Sequence, residues 1–337
     1  MITLESCYKK WIASFWRFLA YPLAWLYALI LKTKKTLIKP SLSSCEGVRV
    51  LSVGNLDFGG TGKTPTLLLI LESLQHLPCG VITRGYGSLY ERQGSQQVNH
   101  LRGSSNLAQL IGDEPCLILN KFPLVPLYVG KDRQKGMSEA VKQGCKLILL
   151  DDGAQQNQLK VDFNVILLDP KEPLKPLCPV GYRRDTLDTL KKADLVVFPY
   201  VETQDSYREA QGVIKSYTTA PCIGLKAQID FETPGPVAVM TAIARAQRFL
   251  DQLENKGAQI VLKRIFDDHA VFSDVAIKNF LIEAKKLGAK HCLCTQKDWV
   301  KIKSSYQKDF KVVKLSLKPL FDEVNWETFI GKIRKIP

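Results

Sequence analysis

The chain has 337 residues, 45% hydrophobic and 24% charged, ordinary globular values that exclude a disordered, collagen-like or polytopic membrane protein. Lysine and arginine number 47 against 33 aspartates and glutamates, and the formal charge of +14 favours an anionic partner: nucleic acid, a phosphorylated substrate or acidic lipid headgroups. The nine cysteines (Cys7, Cys45, Cys79, Cys116, Cys145, Cys178, Cys222, Cys292 and Cys294) are odd in number and contain no C-x-x-C, which argues against a disulfide framework or a zinc ribbon and for apolar thiols in a reducing cytosol.

Trp11–Leu31 reads WIASFWRFLAYPLAWLYALIL, with Arg17 its single charge, Lys9 and Lys10 before it and Lys32, Lys34 and Lys35 after it. As a helix it would be about 31 Å long, close to the hydrocarbon thickness of a bilayer. A cleaved signal peptide would need a short apolar core and a small-residue cleavage site, and neither stands out. The length fits a spanning helix. Arg17, the rings of Trp11, Trp16, Tyr21, Trp25 and Tyr27 and the cationic flanks fit one lying in the interface, and Pro22 is a kink point in either. Burial in a core is the plain alternative, but the segment is expected to attach the chain to a membrane.

From residue 48 onward, short Val/Ile/Leu-rich runs alternate with helical patterns. Residues 48–55, 79–83, 124–130, 145–152, 163–169 and 193–199 predict strands buried on both faces. Thr64–His76 and Arg133–Gln143 predict helices, the second closed by Gly144. Residues 237–243, 258–266, 291–295 and 311–317 extend the strand series. They enclose helices through Leu253 and over Asp274–Leu287, each followed by a glycine, and Phe321, Val324, Phe329, Ile330 and Ile333 predict a closing amphipathic helix. Glu202–Thr219 and Thr233–Pro236 are candidate boundaries. Strand–helix alternation of this kind predicts an α/β fold with a mostly parallel sheet.

The first strand runs into GNLDFGGTGKTPTLLLILESL. The strict G-x-x-x-x-G-K-[ST] pattern needs glycine where this chain has Asp57, yet Gly59, Gly60 and Gly62 still let backbone N–H groups turn toward a phosphate. With Thr61 these form a phosphate cradle, Lys63 supplies a point charge, and the Thr64 hydroxyl is a ligand for Mg²⁺. The helix beginning at Thr64 adds its positive dipole end, and Pro65 is tolerated in a first turn. The run KLILLDDG places Asp151 and Asp152 at a strand's C-terminal end, where magnesium is held beside a phosphate loop. Asn120–Pro123 and Thr295–Asp298 both miss the Asn/Thr-Lys-x-Asp spacing of guanine readers, so ATP is the expected nucleotide.

Further clusters follow apolar runs: Thr83–Gly87 (TRGYG), Gly112–Pro115 (GDEP), Gly130–Arg133 (GKDR) and Asp267–His269 (DDH). Singly each has a bland reading, as a turn, as a helix cap at Asp113 or Asp132, or as a surface histidine. Together with GN-LDF-GGTGKTP (54–65), DDG-x-Q (151–155) and T-x-KD (295–298), they resemble, in order along nearly the whole chain, the tetraacyldisaccharide 4′-kinases of lipid A biosynthesis. The resemblance implies ATP- and Mg²⁺-dependent phosphorylation of the 4′-hydroxyl of a tetraacylated disaccharide 1-phosphate. It implies Asp113 as general base and His269 as the residue that hydrogen-bonds it. It also implies Lys63, Thr64, Asp151 and Asp152 as phosphate and magnesium groups, with Arg84, Arg133, Glu114 and Gln155 at other active-site positions. Gln156 stands where the family usually has histidine, Gln296 replaces the glutamate of T-E-K-D, and PVGYRRDTLDTL (179–190) replaces a segment near GPLRE.

The expected fold is therefore α/β: a P-loop NTPase-like, mostly parallel sheet sandwiched by helices, plus a second smaller α/β lobe and an N-terminal membrane helix. The expected divisions are 1–34 (membrane-associated helix), 35–222 (kinase core) and 223–337 (second lobe, its last helix able to pack back on the core). The expected cofactors are ATP and Mg²⁺, and the partners a lipid disaccharide in the membrane and an anionic lipid surface, with no nucleic acid and no obligate protein partner. The expected location is the cytoplasmic face of the bacterial inner membrane, attached by the N-terminal helix. The rival is a membrane-associated nucleotide switch or assembly ATPase, which needs no sugar-facing base.

Overall fold

The computed structural model describes residues 4–37, 47–104, 106–154, 159–232 and 234–335. The strands are β1 (Arg49–Asn55), β2 (Cys79–Thr83), β3 (Gln96–Gln97), β4 (Leu127–Val129), β5 (Leu147–Asp151), β6 (Phe163–Leu167), β7 (Leu195–Pro199), β8 (Cys222–Asp230), β9 (Pro236–Thr241), β10 (Gln259–Ile265), β11 (His291–Thr295) and β12 (Phe310–Phe321). The helices are α1 (Leu4–Leu37), α2 (Lys63–Ser73), α3 (Leu107–Ile111), α4 (Asp113–Lys121), α5 (Arg133–Lys142), α6 (Gln204–Ile214), α7 (Ala246–Asn255), α8 (Asp274–Lys286), α9 (Gln296–Trp299), α10 (Ser304–Gln307) and α11 (Glu323–Arg334).

Among the described residues the strands form one 12-stranded sheet, in the order β10-β9-β11-β12-β8-β7-β6-β1-β5-β2-β4-β3. Pairing is parallel except at β12–β8 and β3–β4. Alternate side chains of each strand feed opposite layers, as the two-residue period of a strand requires. Leu51 and Val53 of β1 join Leu67, Ile70 and Leu71 of α2 and Trp326, Phe329, Ile330 and Ile333 of α11 on one face. On the other face, Val50, Ile148 and Leu150 meet Met137 and Ala140 of α5, and Val196 and Phe198 meet Tyr207, Ala210 and Ile214 of α6. Farther along the sheet, Val237 and Val239 of β9 pack on α7, while Ala238 and Met240 pack on α8. The expected sandwich is present, and the closing helix packs on the layer that holds α2.

Three sequence expectations need correction. Glu202–Thr219 holds a helix where its polarity marked only a candidate boundary: Thr203 caps α6 by accepting from Ser206 N, and Tyr207, Ala210 and Ile214 form its buried stripe. Its exposed polar residues hid a helix whose apolar face is narrow. The strand β8 escaped notice because Lys226, Gln228 and Asp230 interrupt its apolar positions, facing outward where it pairs antiparallel with β12. The third correction concerns the N-terminus. No helix among the described residues is long and apolar enough to cross a membrane. The membrane helix of the expected fold class is withdrawn, and with it the expected attachment of the chain at the inner membrane by that helix. What α1 does show is a contact with the body: Ala24 is buried, and Tyr27 Oη donates to the Arg184 carbonyl at 3.1 Å.

Candidate active site

Parallel pairing gathers the C-terminal ends of β1, β5, β2 and β4 on one edge, where loops of open α/β sheets bind ligands. The register places Val53 beside Asp151, Ile82 beside Leu150 and Thr83 beside Val129. The loops that leave these ends carry the phosphate-loop glycines, Asp152, Arg84 and Arg133.

Gly59 and Gly62 take left-handed φ angles of 96° and 87°, which side chains with a Cβ adopt only under strain, and Gly62 opens α2 directly before Lys63. Asn55 braces the turn: its Nδ2 donates to the Asp57 carbonyl at 2.8 Å and to Thr61 Oγ1 at 2.7 Å. Lys63 Nζ reaches Asn55 Oδ1 at 3.3 Å and lies 3.8 Å from Asp152. Thr64 is buried in the first turn.

Asp151 is almost wholly buried and accepts from Thr83 Oγ1 at 2.9 Å through Oδ2, while its Oδ1 is buried without a hydrogen-bond partner. Burial, with the carboxylates of Glu114 and Asp152 nearby, pushes its carboxyl well above the usual range. A buried carboxylate with an unmatched oxygen among other carboxylates is short of a cation. No group of three or more His, Cys, Asp or Glu among the described residues could hold a metal alone. Mg²⁺ takes one or two carboxylates and completes its shell with phosphates and water. Thr64 and Asp151, with Asp152 beside them, fit that ion. Burial would raise Asp152, but Arg184 and Lys63 outweigh it and hold the carboxyl down. Arg184 Nη1 donates to Asp152 Oδ2 at 3.0 Å, its Nη2 donates to Asn55 Oδ1 at 2.6 Å and also pairs with Asp152, and Arg133 Nη2 donates to the Asp151 and Asp152 carbonyls at 3.1 and 3.0 Å.

Across from these, Asp113 opens α4 behind Gly112, whose φ of 95° turns the chain into the helix. His269, 156 positions away, puts Nδ1 3.2 Å from Asp113 Oδ1 and 3.0 Å from Oδ2. Lys297 Nζ lies 3.3 Å from His269 Nε2, 3.5 Å from Glu114, and 3.8 Å from both Asp113 and Asp268. With neutral imidazole these partners assign the tautomer, because a carboxylate faces Nδ1–H and an ammonium faces the Nε2 lone pair. Burial alone would raise Asp113, but the His269 hydrogen bond and the Lys297 charge outweigh it and hold the carboxyl down at about 2. The same hydrogen bond raises His269. Burial opposes the charge on Lys297, but Glu114, Asp113 and Asp268 prevail and raise it.

Arg84 Nε pairs with Glu91 Oε1 at 2.6 Å and reaches no phosphate-loop side chain in the contacts described. Gln155 and Gln156 lie outside the described residues. Other site residues were not singled out from sequence. Lys297 sits inside the T-x-KD string: Thr295 caps α9 by accepting from Asp298 N, and the buried Asp298 accepts from Thr241 Oγ1 at 2.6 Å and Ala242 N at 2.9 Å, which fixes the lysine between them. Arg184 falls in the 179–190 segment, which had registered only as a departure. Nothing in the spacing of Asn55 distinguishes it from a turn residue.

The chain matches the family model described as tetraacyldisaccharide-1-P 4′-kinase (LpxK) over residues 16–334. Tetraacyldisaccharide 4′-kinases of Shewanella baltica and of another Shewanella strain are 31% and 32% identical to it, over 91% of this chain and 89% and 90% of theirs. The protein of that description from Chlamydia pneumoniae is 31% identical over 75% of this chain and 72% of its own. Among solved structures, the crystal structure of an LpxK from Aquifex aeolicus in complex with ATP is similar at a TM-score of 0.72 and 25% identity, over 95% of this chain and 99% of that one.

Proposed function

The chain belongs to the tetraacyldisaccharide 4′-kinase family, and from that membership we propose how its own residues carry out the reaction. It is an ATP-dependent kinase of a lipid A precursor, adding a phosphate to the 4′-hydroxyl of a tetraacyldisaccharide 1-phosphate. Its substrate is a lipid, so the reaction has a membrane context. The net charge of +14 favours acidic lipid around that substrate.

Asp113 receives the 4′-hydroxyl proton. A sugar hydroxyl is far less acidic than a carboxylic acid, so a carboxylate held at about 2 works mainly by orienting the hydroxyl and takes its proton late in the transfer. His269 fixes the direction of the carboxylate. Lys297 keeps it ionised and anchors the imidazole from behind. On the nucleotide side, the backbone N–H groups of Gly59–Thr64 and the Lys63 ammonium face the charge that gathers on the phosphates. Bound between Thr64, Asp151 and Asp152, Mg²⁺ would neutralise phosphate charge and polarise the transferred group. Thr83 and Arg133 hold Asp151 and Asp152 in place, while Glu114 pairs with Lys297 and its charge acts on Asp151.

The observation that carries this reading is the Asp113–His269 pair, a carboxylate held by a histidine at 3.0 Å and next in the chain to Glu114, whose charge acts on Asp151. A nucleotide switch has no use for such a group. The test is acceptor dependence: ATP turnover should rise at least about tenfold when the tetraacyldisaccharide 1-phosphate is supplied. Turnover at the same rate without any acceptor would speak for the switch.

A further inference from the structure

A second ionic cluster lies beside the phosphate loop and takes no part in the chemistry above. Lys175 Nζ is 3.1 Å from Asp57 Oδ2 and 3.2 Å from Asp169 Oδ2, and Arg245 Nη2 is 2.7 Å from the same Asp169 oxygen. The Asp57, Asp169 and Lys175 side chains are only 2%, 8% and 10% exposed. Asp57 belongs to the turn between β1 and α2. Arg245 comes from the loop between β9 and α7, in the half of the chain that carries His269.

That loop touches both sides of the site. The Ala242 carbonyl accepts from His269 N at 3.3 Å and from Lys301 Nζ at 3.2 Å. Ala244 packs so closely on Gly60 that a Cβ there would lie 3.1 Å from the alanine methyl. Arg248 stacks over Tyr200 at 4.4 Å, and the Tyr200 ring closes the space beside Gly62 to 2.9 Å from where its Cβ would be. In the direct ion pairs two carboxylates face two cations, and the charges of Arg183 and Arg248 act on Asp57 and Asp169 from farther out. Removing the Arg245 charge would leave Asp169 with Lys175 as its one direct cation, drawing the lysine away from Asp57 beside the loop that receives a triphosphate, where screening by water is weak.

We propose that Arg245 is a positioning residue for phosphoryl transfer: by pairing with Asp169 it keeps Lys175 on Asp57, and so couples the phosphate loop to the loop that carries His269. The proposal rests on the kinase reading above, but its effect on ATP binding can be read without any acceptor. The experiment compares Arg245→Ala, Arg245→Lys, Asp169→Asn and the double variant Arg245→Ala/Asp169→Asn by ATP titration calorimetry, by kinetics with ATP varied, and by melting temperature.

Arg245→Ala should weaken ATP binding and raise KM for ATP by about tenfold, with a several-fold fall in kcat, from the loss of the Arg245 charge. Arg245→Lys should recover most of the affinity. The double variant should bind ATP better than Arg245→Ala alone, because the carboxylate that draws Lys175 away is gone. A merely structural arginine would instead lower the melting temperature in both Arg245 variants without a selective change in ATP affinity. That pattern, wild-type kinetics in Arg245→Ala, or losses that simply multiply in the double variant would overturn the proposal. If the wild type fails to phosphorylate the disaccharide while calorimetry still shows the charge dependence, the kinase reading fails and the coupling stands.

Discussion

Asp113 and His269 answer each other electrostatically, and the signs of their shifts give a pH dependence. The Asp113 carboxyl is held at about 2, below its ordinary 3.8, so its contribution is complete above 3.8 and is lost as pH falls toward 2. His269 is raised above its ordinary 6.5, so its contribution is complete below 6.5 and is lost as pH rises through the elevated value. The melting temperature of the wild type should therefore exceed that of His269→Gln at about pH 6, with the gap closing as pH rises through the elevated value. A gap that stays constant across that range contradicts the ion pair. In catalysis, Asp113→Asn should lower kcat by about 10²–10⁴ with ATP affinity little changed, and His269→Ala should cost less. Residues that act as one unit are non-additive, so the double variant should be little worse than Asp113→Asn. A four-corner kinetic cycle with acceptor saturating checks this, and simple multiplication of the two losses sinks the pairing. Both members of the pair were legible from sequence, but only as family resemblance. Lys297 was not assigned, because nothing local in T-x-KD shows that a lysine will sit among three carboxylates. His269 and Asp152 also hold left-handed φ angles of 63° and 53°, a strain of about 1–3 kcal/mol each that site geometry imposes and sequence does not reveal.

The turn from β1 into α2 is the element on which nucleotide binding depends, and its glycines separate two costs. Gly59 has a left-handed φ but nothing within 4 Å of where a Cβ would be, whereas at Gly62 the Cβ would lie 2.9 Å from Tyr200 and 3.0 Å from Pro199. Gly59→Ala should bear only the conformational strain, about 1–3 kcal/mol, and Gly62→Ala that strain plus a clash that displaces Tyr200. Gly62→Ala should therefore raise KM for ATP clearly more than Gly59→Ala does, and equal effects would mean that Tyr200 does not brace the loop. Lys63→Ala should abolish transfer while leaving the far-ultraviolet circular dichroism and melting temperature near those of the wild type. Most of this element was legible: the buried strand, the glycine-rich turn and the apolar helix all precede and follow Gly-Lys-Thr in the sequence. Asp57 was legible only as a departure, since its partners Lys175 and Asp169 come from a loop after β6. The polar segment that became α6 shows the converse case, since Tyr207, Ala210 and Ile214 stand at helical spacing but few apolar residues accompany them.

Over the whole molecule, the continuous sheet and α11 join the two halves of the chain. Phe329 of α11 lies edge-on to Phe163 of β6 with centroids 6.2 Å apart, and Arg334 Nη2 donates to the Ser73 carbonyl of α2 at 3.0 Å. Phe329→Ala should cost about 3–5 kcal/mol as a buried aromatic truncation and speed amide exchange in β1 and β6, although the residue is near the other end of the chain. Exchange that quickens only after residue 222 would contradict that coupling. The alternation of strands and helices was readable because buried parallel strands are continuous apolar runs. The antiparallel β8–β12 link was not, since its outward polar positions break the pattern, and the apolar N-terminal stretch was read as a membrane helix although no helix among the described residues is long and apolar enough to cross. The central claim is that this fold delivers a phosphate from ATP to the 4′-hydroxyl held by Asp113. Its most direct test is mass spectrometry, with positional analysis, of the tetraacyldisaccharide 1-phosphate after incubation with ATP, Mg²⁺ and purified wild type or Asp113→Asn. The account predicts a single added phosphate at the 4′ position with the wild type and almost none with the variant; an unmodified lipid beside hydrolysed ATP, or equal phosphorylation by both proteins, would contradict it.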